Sequence, residues 1–221
     1  MEDNVSSVNV AVEIYVSGVN MTRENYHHGN LKEAIISAAL TILHAQSVES
    51  VGLREIARMI GVSSAAPYRH FASREALLSA LAVRGFRALE HRLQQVVRTH
   101  GPESLAELGQ AYVAFALENR NLFGLMLRTE RTEQTDDDLH EAGQAAFNLL
   151  QSAVSAIAGK PCRDDAIGAW SLVHGLSILV AERQIAPDLL ERARLKALVA
   201  QVTDTYARGL QAGCGPTKDE D

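Results

Sequence analysis

The chain has 221 residues, of which 47% are hydrophobic and 22% are charged. This composition excludes collagen-like, disordered and disulfide-rich proteins, and an aromatic content of only 5% favours helix over sheet. The two cysteines, Cys162 and Cys214, are too few for a disulfide framework or a thiolate zinc site. No apolar stretch reaches the ~20 residues that span a bilayer. We therefore expect a soluble, cytoplasmic, all-α protein of about nine helices, without a metal or other cofactor.

The net charge of −6 is unevenly distributed along the chain. Residues 1–20 carry −3, residues 21–100 carry +4, and residues 101–221 carry −7. Such asymmetry indicates that the basic part meets an anionic polymer and that the acidic part does not.

The two ends of the chain show no helical period. Residues 1–20 are acidic where a signal peptide is basic, so we expect a flexible extension, or a physiological start at Met21. Residues 213–221 are rich in Gly, Pro and acids, which predicts a disordered tail.

The first two predicted helices are bounded by capping residues. Asn30 is a good N-cap for a helix whose apolar residues recur from Leu31 and which ends near Gln46. Gly52 caps a short second helix, which Gly61 ends.

Further helices follow at short intervals. Ser63 caps about two helical turns over residues 64–70, with Pro67 near the first turn where its missing N–H costs little. Ser73 precedes a long helix over residues 76–97, and Gly101 breaks the pattern after it. The remaining predicted helices span residues 104–119, 122–128, 136–158, 164–182 and 188–211.

Two short helices around a glycine turn are typical of a helix-turn-helix, whose second helix enters the DNA major groove. Residues 64–66 are small, and residues 68–70 (Tyr-Arg-His) can donate to phosphates or base edges. We expect Ile56, Ala57, Val62 and Phe71 to be buried and to hold the two helices at their angle. Such helix pairs also occur in proteins that do not bind DNA, and Tyr68 alone could be a core aromatic.

Five segments extend this pattern: Tyr26–Leu31, Leu53–Ala57, Gly61–Ser63, Pro67–Phe71 and Arg74–Leu78. In this order and spacing they resemble the TetR family of bacterial transcriptional regulators. The resemblance implies a DNA-binding domain at residues 21–75 and a ligand-binding and dimerisation domain at residues 76–212. It also implies a homodimer on a palindromic operator.

The resemblance assigns roles to individual residues. It places Tyr68 and His70 on phosphates and residues 63–66 at the groove. Arg74 stands where the family usually presents a Lys to the DNA backbone, and Gly52 lacks the usual Ser or Thr hydroxyl. The candidate DNA-contacting residues are Tyr26, His27, Lys32, Gly52, Arg54, Ser63, Ser64, Ala65, Ala66, Tyr68, Arg69, His70 and Arg74.

The helix over residues 164–182 is apolar on nearly all sides near Trp170, so neighbouring helices must cover it all round. Together with the last helix it would form a four-helix dimer interface, as in TetR-like proteins, where Gly175 permits close approach. Trp170, His174 and Gly175 also resemble a motif of one subgroup of the family.

An apolar pocket for a small inducer is the further expectation for the C-terminal part. Tyr112 and His174 are its candidate polar groups, although His174 could instead be a hydrogen-bonded core residue, and most of the aromatic set could be ordinary core. The candidate pocket residues are Phe86, Tyr112, Phe115, Phe123, Met126, Phe147, Trp170 and His174.

We interpret the sequence as a DNA-binding repressor that a small apolar or amphipathic ligand releases. One alternative is an activating or ligand-independent regulator whose C-terminal domain only dimerises. Another is a small all-α enzyme, but no His-Glu-x-x-His, phosphate loop or nucleophile elbow supports catalysis.

Overall fold

The computed structural model describes residues 31–129, 137–161 and 163–213. Within these residues the fold is built from α-helices and short 3₁₀ turns, with no strand. The eight helices are α1 (Leu31–Ala45), α2 (Leu53–Met59), α3 (Arg74–His100), α4 (Leu105–Glu118), α5 (Arg120–Thr129), α6 (Asp137–Ala158), α7 (Arg163–Ala181) and α8 (Arg192–Gly213). The 3₁₀ turns are Val48–Ser50, Pro67–Arg69 and Pro187–Leu190.

Helix α3, with 27 residues, joins the two parts of the molecule. The head, residues 31–73, packs against it through α1, and the body, α4 to α8, packs against it through α4, α5 and α6. One continuous hydrophobic core runs from Ile35 and Ile56 of the head, past Leu81 and Phe86 of α3, to Phe123 of α5. The predicted domain boundary at residues 75 and 76 therefore lies inside the first turn of a helix that both parts share.

The segment predicted as a two-turn helix over residues 64–70 is shorter, and this prediction was wrong in extent. The backbone forms a turn from Ser63 and then the 3₁₀ turn Pro67–Arg69, with Ala66 N–H donating to Ser63 O at 3.0 Å and His70 N–H donating to Pro67 O at 3.0 Å. Pro67 has no N–H to donate to Ser63 O, so the α-helical ladder cannot start there. This segment accounts for the difference between eight helices and the nine expected.

The last predicted helix, residues 188–211, also differs from the structure. The chain makes the 3₁₀ turn Pro187–Leu190, Glu191 is extended at φ −60° and ψ 132°, and α8 begins only at Arg192. The apolar period alone predicts one continuous helix over residues 188–211. In the structure, Pro187 starts a 3₁₀ turn, and the extended Glu191 separates this turn from α8.

The capping predictions at Gly52 and Ser73 were confirmed, whereas the one at Ser63 was wrong, because the 3₁₀ turn Pro67–Arg69 has Ala66 at its N-cap and no side-chain cap bond. Gly52 is the N-cap of α2, and the Ser73 side chain accepts from the Ala76 N–H at the start of α3. Gly61 follows α2 at φ +74° and Gly101 ends α3 at φ +89°, a left-handed conformation that favours glycine. The Asn30 cap, the N-terminal extension and the chain beyond Gly213 lie outside the described residues.

Side chains of α3 and α5 contact the head. Asn121 Nδ2, on α5, donates to Leu43 O at 2.9 Å and to Gln46 O at 2.8 Å, so it satisfies carbonyl groups at the C-terminal end of α1. Arg84 of α3 pairs with Glu33 of α1, and Arg128 of α5 lies 3.6 Å from Glu49. The orientation of the head thus depends on α3 and α5.

Candidate nucleic-acid interface and ligand cavity

The recognition segment, residues 63–70, lies on the surface of the head. Ser64 and Ala65 are exposed, Tyr68 is 48% exposed, and Arg69 and His70 are also exposed. Pro67 within the segment and Phe71 just after it are buried. The buried pair fixes the segment on the head while its small and polar side chains face outward.

The packing beneath the recognition segment comes from α2. Ile56 and Ala57 are almost completely buried, as expected, whereas Val62 is only half-buried and that prediction was wrong. The Val62 N–H donates to Ala57 O at 3.0 Å, which closes the turn after α2. The backbone of the turn holds Val62 in place, while its side chain stays at the rim of the core.

The charged side chains of α2 fall into two groups. Arg58 is paired with Glu55 at 2.5 Å, and its guanidinium lowers the pKa of the Glu55 carboxyl by hydrogen bonding to the ionised form. Arg54 is exposed and, within the described residues, has neither an ion pair nor a side-chain hydrogen bond. Arg54 is therefore the α2 cation that is available to a phosphate.

Gly52 precedes α2 in an extended conformation, at φ −141° and ψ 138°. A Cβ built on Gly52 meets no atom within 4 Å. The space for the hydroxyl side chain that the family usually carries is therefore present, although this chain leaves it open.

Arg74, the expected backbone contact at the start of α3, is engaged inside the head. Its Nε donates to Val51 O at 2.7 Å and its Nη2 donates to Val48 O at 2.6 Å. The guanidinium is half-buried and ties the first turn of α3 to the segment that leads into α2. No feature of the sequence signalled this two-point contact, because it joins residues that are more than 20 positions apart.

Three candidates for DNA contact remain: Lys32, Tyr26 and His27. Lys32 is exposed, and its Nζ lies 6.0 Å from the centroid of the Phe71 ring. Tyr26 and His27 fall outside the described residues.

A cavity of about 410 Å³ lies in the body, between α3, α4, α5, α6 and α7. It is within the range of ligand-binding cavities, and most of its wall is apolar. Phe115 is buried in the core and does not line the cavity, so this prediction was wrong. The predicted residues that the structure brings to the wall are Phe86, Tyr112, Phe123, Met126, Phe147, Trp170 and His174.

The polar part of this wall is a hydrogen-bonded pair. Tyr112 Oη lies 2.9 Å from His174 Nδ1. The His174 ring packs against Trp170, at 5.1 Å between centroids, and against Phe123, at 5.8 Å. The pair thus places a hydroxyl and an imidazole among aromatic rings.

The sequence reasoning missed three polar lining residues: His140, Gln144 and Arg163. These residues could have been predicted from helical spacing. His140 and Gln144 precede Phe147 by seven and three positions on α6, and Arg163 precedes Trp170 by seven positions on α7. Each polar residue therefore lies on the same helix face as an aromatic residue that was already a candidate.

The outward face of α7 and α8 carries the outer hollow, a second concavity of about 680 Å³ whose wall includes Leu172, Val202 and Tyr206. Leu179 on α7 is 40% exposed. A Cβ on Gly175 meets no atom within 4 Å, so the surface of α7 is open at that point.

Two family models match this chain. Residues 35–81 match the model of bacterial regulatory proteins of the tetR family, and residues 105–206 match the model of the tetracyclin repressor-like C-terminal domain. Together they cover about two thirds of the chain. The chain belongs to the TetR family. Its recognition segment lies within the first match and most of its cavity within the second.

Two regulators and one protein of unknown function are similar to this chain. An uncharacterised HTH-type transcriptional regulator of Bacillus subtilis strain 168, YobS, is 28% identical over 169 residues, which are 74% of this chain and 86% of YobS. The solved structure of a protein of unknown function from Rhodococcus sp. RHA1 is 34% identical, with a TM-score of 0.73, and the match covers 85% of this chain and 99% of that one. The class D tetracycline repressor of Escherichia coli is 27% identical over 92 residues, which are 42% of this chain and 37% of the repressor.

TetR-family proteins are transcriptional regulators that bind DNA and dimerise, and the family is not one of enzymes. In the described residues, no helix has both the length and the hydropathy needed to cross a bilayer.

Proposed function

We propose that this TetR-family regulator is a homodimeric repressor in the cytoplasm. It binds a palindromic operator through the recognition segment, and a small apolar or amphipathic ligand in the cavity releases it. The observation that carries the proposal is the direct connection between the two sites. The helices α3 and α5, which line the cavity, are also those that hold the head.

The DNA contacts follow from the exposed surface of the head. Tyr68 and His70 bind phosphates, residues 63–66 approach the groove, and Arg54 supplies a cation at the start of α2. Phosphate neutralisation then dominates the affinity, which falls steeply as the salt concentration rises. Residues 21–75 form the DNA-binding domain in this proposal, and residues 76–212 form the ligand-binding and dimerisation domain.

The dimer forms on the outward face of α7 and α8. The exposed Leu179, the apolar wall of the outer hollow and the open surface at Gly175 support this choice. Two helices from each protomer then make a four-helix interface. That the Trp170, His174 and Gly175 motif marks one subgroup of the family stays a prediction.

Release requires that the ligand binds more tightly to a conformation in which the two heads no longer fit the operator. Phe86 on α3 and Met126 on α5 line the cavity, and Asn121, five residues before Met126 on the same helix, holds the end of α1. A ligand that displaces α5 or α3 therefore shifts the head as well.

The experiment is binding to genomic fragments, including the DNA upstream of its own gene, followed by fluorescence anisotropy over a salt series. We expect selective binding with a steep salt dependence. Tyr68→Phe removes only the hydroxyl, so it weakens specific and nonspecific binding by similar factors, about tenfold per protomer, without changing the salt slope. Thr99→Val, which removes an exposed hydroxyl near the far end of α3, is the control. A Tyr68→Phe protein that lost only its sequence preference would contradict the phosphate role.

A further inference from the structure

We infer that the cavity takes an amphipathic carboxylic acid, with its anionic group at Arg163 and its apolar body between the aromatic rings of α3, α6 and α7. This inference rests on the proposed ligand-responsive function and names the chemical class of the ligand.

The first argument for a carboxylic acid is the charge of the residues that line the cavity. Among the described residues that line the cavity, Arg163 is the one side chain with a permanent charge, and no Asp or Glu is present. His140 and Gln144 add hydrogen-bonding groups of neutral or positive character. A cationic ligand would find no countercharge among these described lining residues, whereas a carboxylate finds a guanidinium.

The second argument is the position of Arg163 in the cavity. Arg163 is exposed, as are Gln144 and His140, whereas Phe123 and Met126, which also line the cavity, are almost completely buried. The cationic group therefore lies where the cavity opens to solvent, and the apolar wall lies deeper. A ligand that keeps its charged group hydrated at the mouth and buries its body loses little solvation energy.

The arrangement along α7 orients such a ligand. Arg163, Ile167, Trp170 and His174 follow one another at helical spacing and all line the cavity. The sequence of groups from mouth to interior is a cation, an aliphatic side chain, an indole and the imidazole paired with Tyr112. Asp164 and Asp165 share the first turn of α7 with Arg163, but neither lines the cavity, and Asp165 faces the outer hollow.

The single tryptophan of the chain makes the inference directly testable, because Trp170 lies in the cavity wall. The full-length protein is titrated with 4-phenylbutyrate, 4-phenylbutan-1-ol and 4-phenylbutylamine while Trp170 emission is recorded. The three probes share one apolar body and differ only in the charge of the head group. Since a charge pair at about 4 Å in water changes a binding constant roughly fivefold, we expect the acid to bind about fivefold more tightly than the alcohol and the amine about fivefold more weakly.

The variant Arg163→Gln removes the charge and keeps a polar side chain. We expect the affinity of this variant for the acid to fall to its affinity for the alcohol, which does not change. Arg98→Gln, at an exposed arginine of α3 that does not line the cavity, is the matched control and keeps the preference for the acid.

Equal affinities for the three probes, or tightest binding of the amine, would overturn the carboxylate assignment and leave a ligand-responsive regulator in place. A preference for the acid that survives in Arg163→Gln would overturn the role of Arg163. Unchanged Trp170 emission with every probe would overturn the inference as a whole. The operator-binding experiment needs no cavity ligand, so its outcome is independent of all three.

Discussion

Replacement of Arg74 by Lys tests whether this residue positions the head or contacts DNA. In the structure, its Nε and Nη2 donate to Val51 O at 2.7 Å and to Val48 O at 2.6 Å. The fixed fork of a guanidinium reaches both carbonyl groups, whereas a lysine ammonium is a single point charge. The substitution keeps the charge and removes the two-point contact.

The expected loss follows from the number of bonds. A hydrogen bond from a charged donor contributes about 1.5–3 kcal/mol, and Lys can replace one of the two. Because Arg74 is half-buried and water can hydrate the freed carbonyl, we expect a loss near the lower end, about 1.5 kcal/mol. For a protein of this length, that lowers Tm by about 3–6 °C.

The assay is thermal unfolding at fixed protein concentration, with operator affinity measured in parallel. Arg54→Lys is the matched control, because Arg54 is exposed and, within the described residues, has no side-chain partner, so its Tm should not change. A further variant, Arg74→Met, removes the charge. It should leave the salt slope of DNA binding unchanged if Arg74 makes no phosphate contact, whereas a lost phosphate contact reduces the slope by about 1 per protomer. An Arg74→Lys protein with unchanged Tm, together with a reduced slope in Arg74→Met, would refute the positioning role.

Three further predictions concern the cap of α2, the link between head and body, and the glycines of the body. Gly52→Ser should raise operator affinity severalfold in anisotropy titrations, because its side chain enters open space and can bind a phosphate; an unchanged affinity would argue against a phosphate at this position. Asn121→Ala removes two hydrogen bonds to the end of α1, so it should lower the free energy of unfolding by about 1–2 kcal/mol in denaturant titrations, and a neutral substitution would show that the link does not stabilise the protein. Gly109→Ala should destabilise each protomer, because its Cβ would lie 2.8 Å from Thr203 Cγ2, whereas Gly175→Ala should leave the protomer folded and weaken the dimer in sedimentation experiments. Dimer affinity that is unchanged in Gly175→Ala would exclude close packing at this glycine.

The sequence by itself determined the helical class, the order of the helices and most of their ends. These features follow from local chemistry: apolar residues at the helical period, Ser73 as an N-cap, and glycines at Gly61 and Gly101 where φ is positive. The cluster of exposed polar residues after Gly61 is likewise local, so the amino-acid pattern alone is enough to locate the recognition segment. Its backbone differs from the predicted helix because Pro67 has no N–H to donate to Ser63 O, and the buried Pro67 and Phe71 hold the segment on the head.

The tertiary structure alone decided which side chains share a site. Phe115 and Phe123 have the same apolar character in the sequence, but only Phe123 reaches the cavity, because that depends on how α4 and α5 rotate against α3. Arg74 could be recognised as a cation at the start of a helix, but its partners are carbonyl groups that the fold brings in from the segment before α2. Local pattern fixes the secondary structure because hydrogen bonds and capping act over a few residues, whereas the partners of a side chain are set by packing between distant segments.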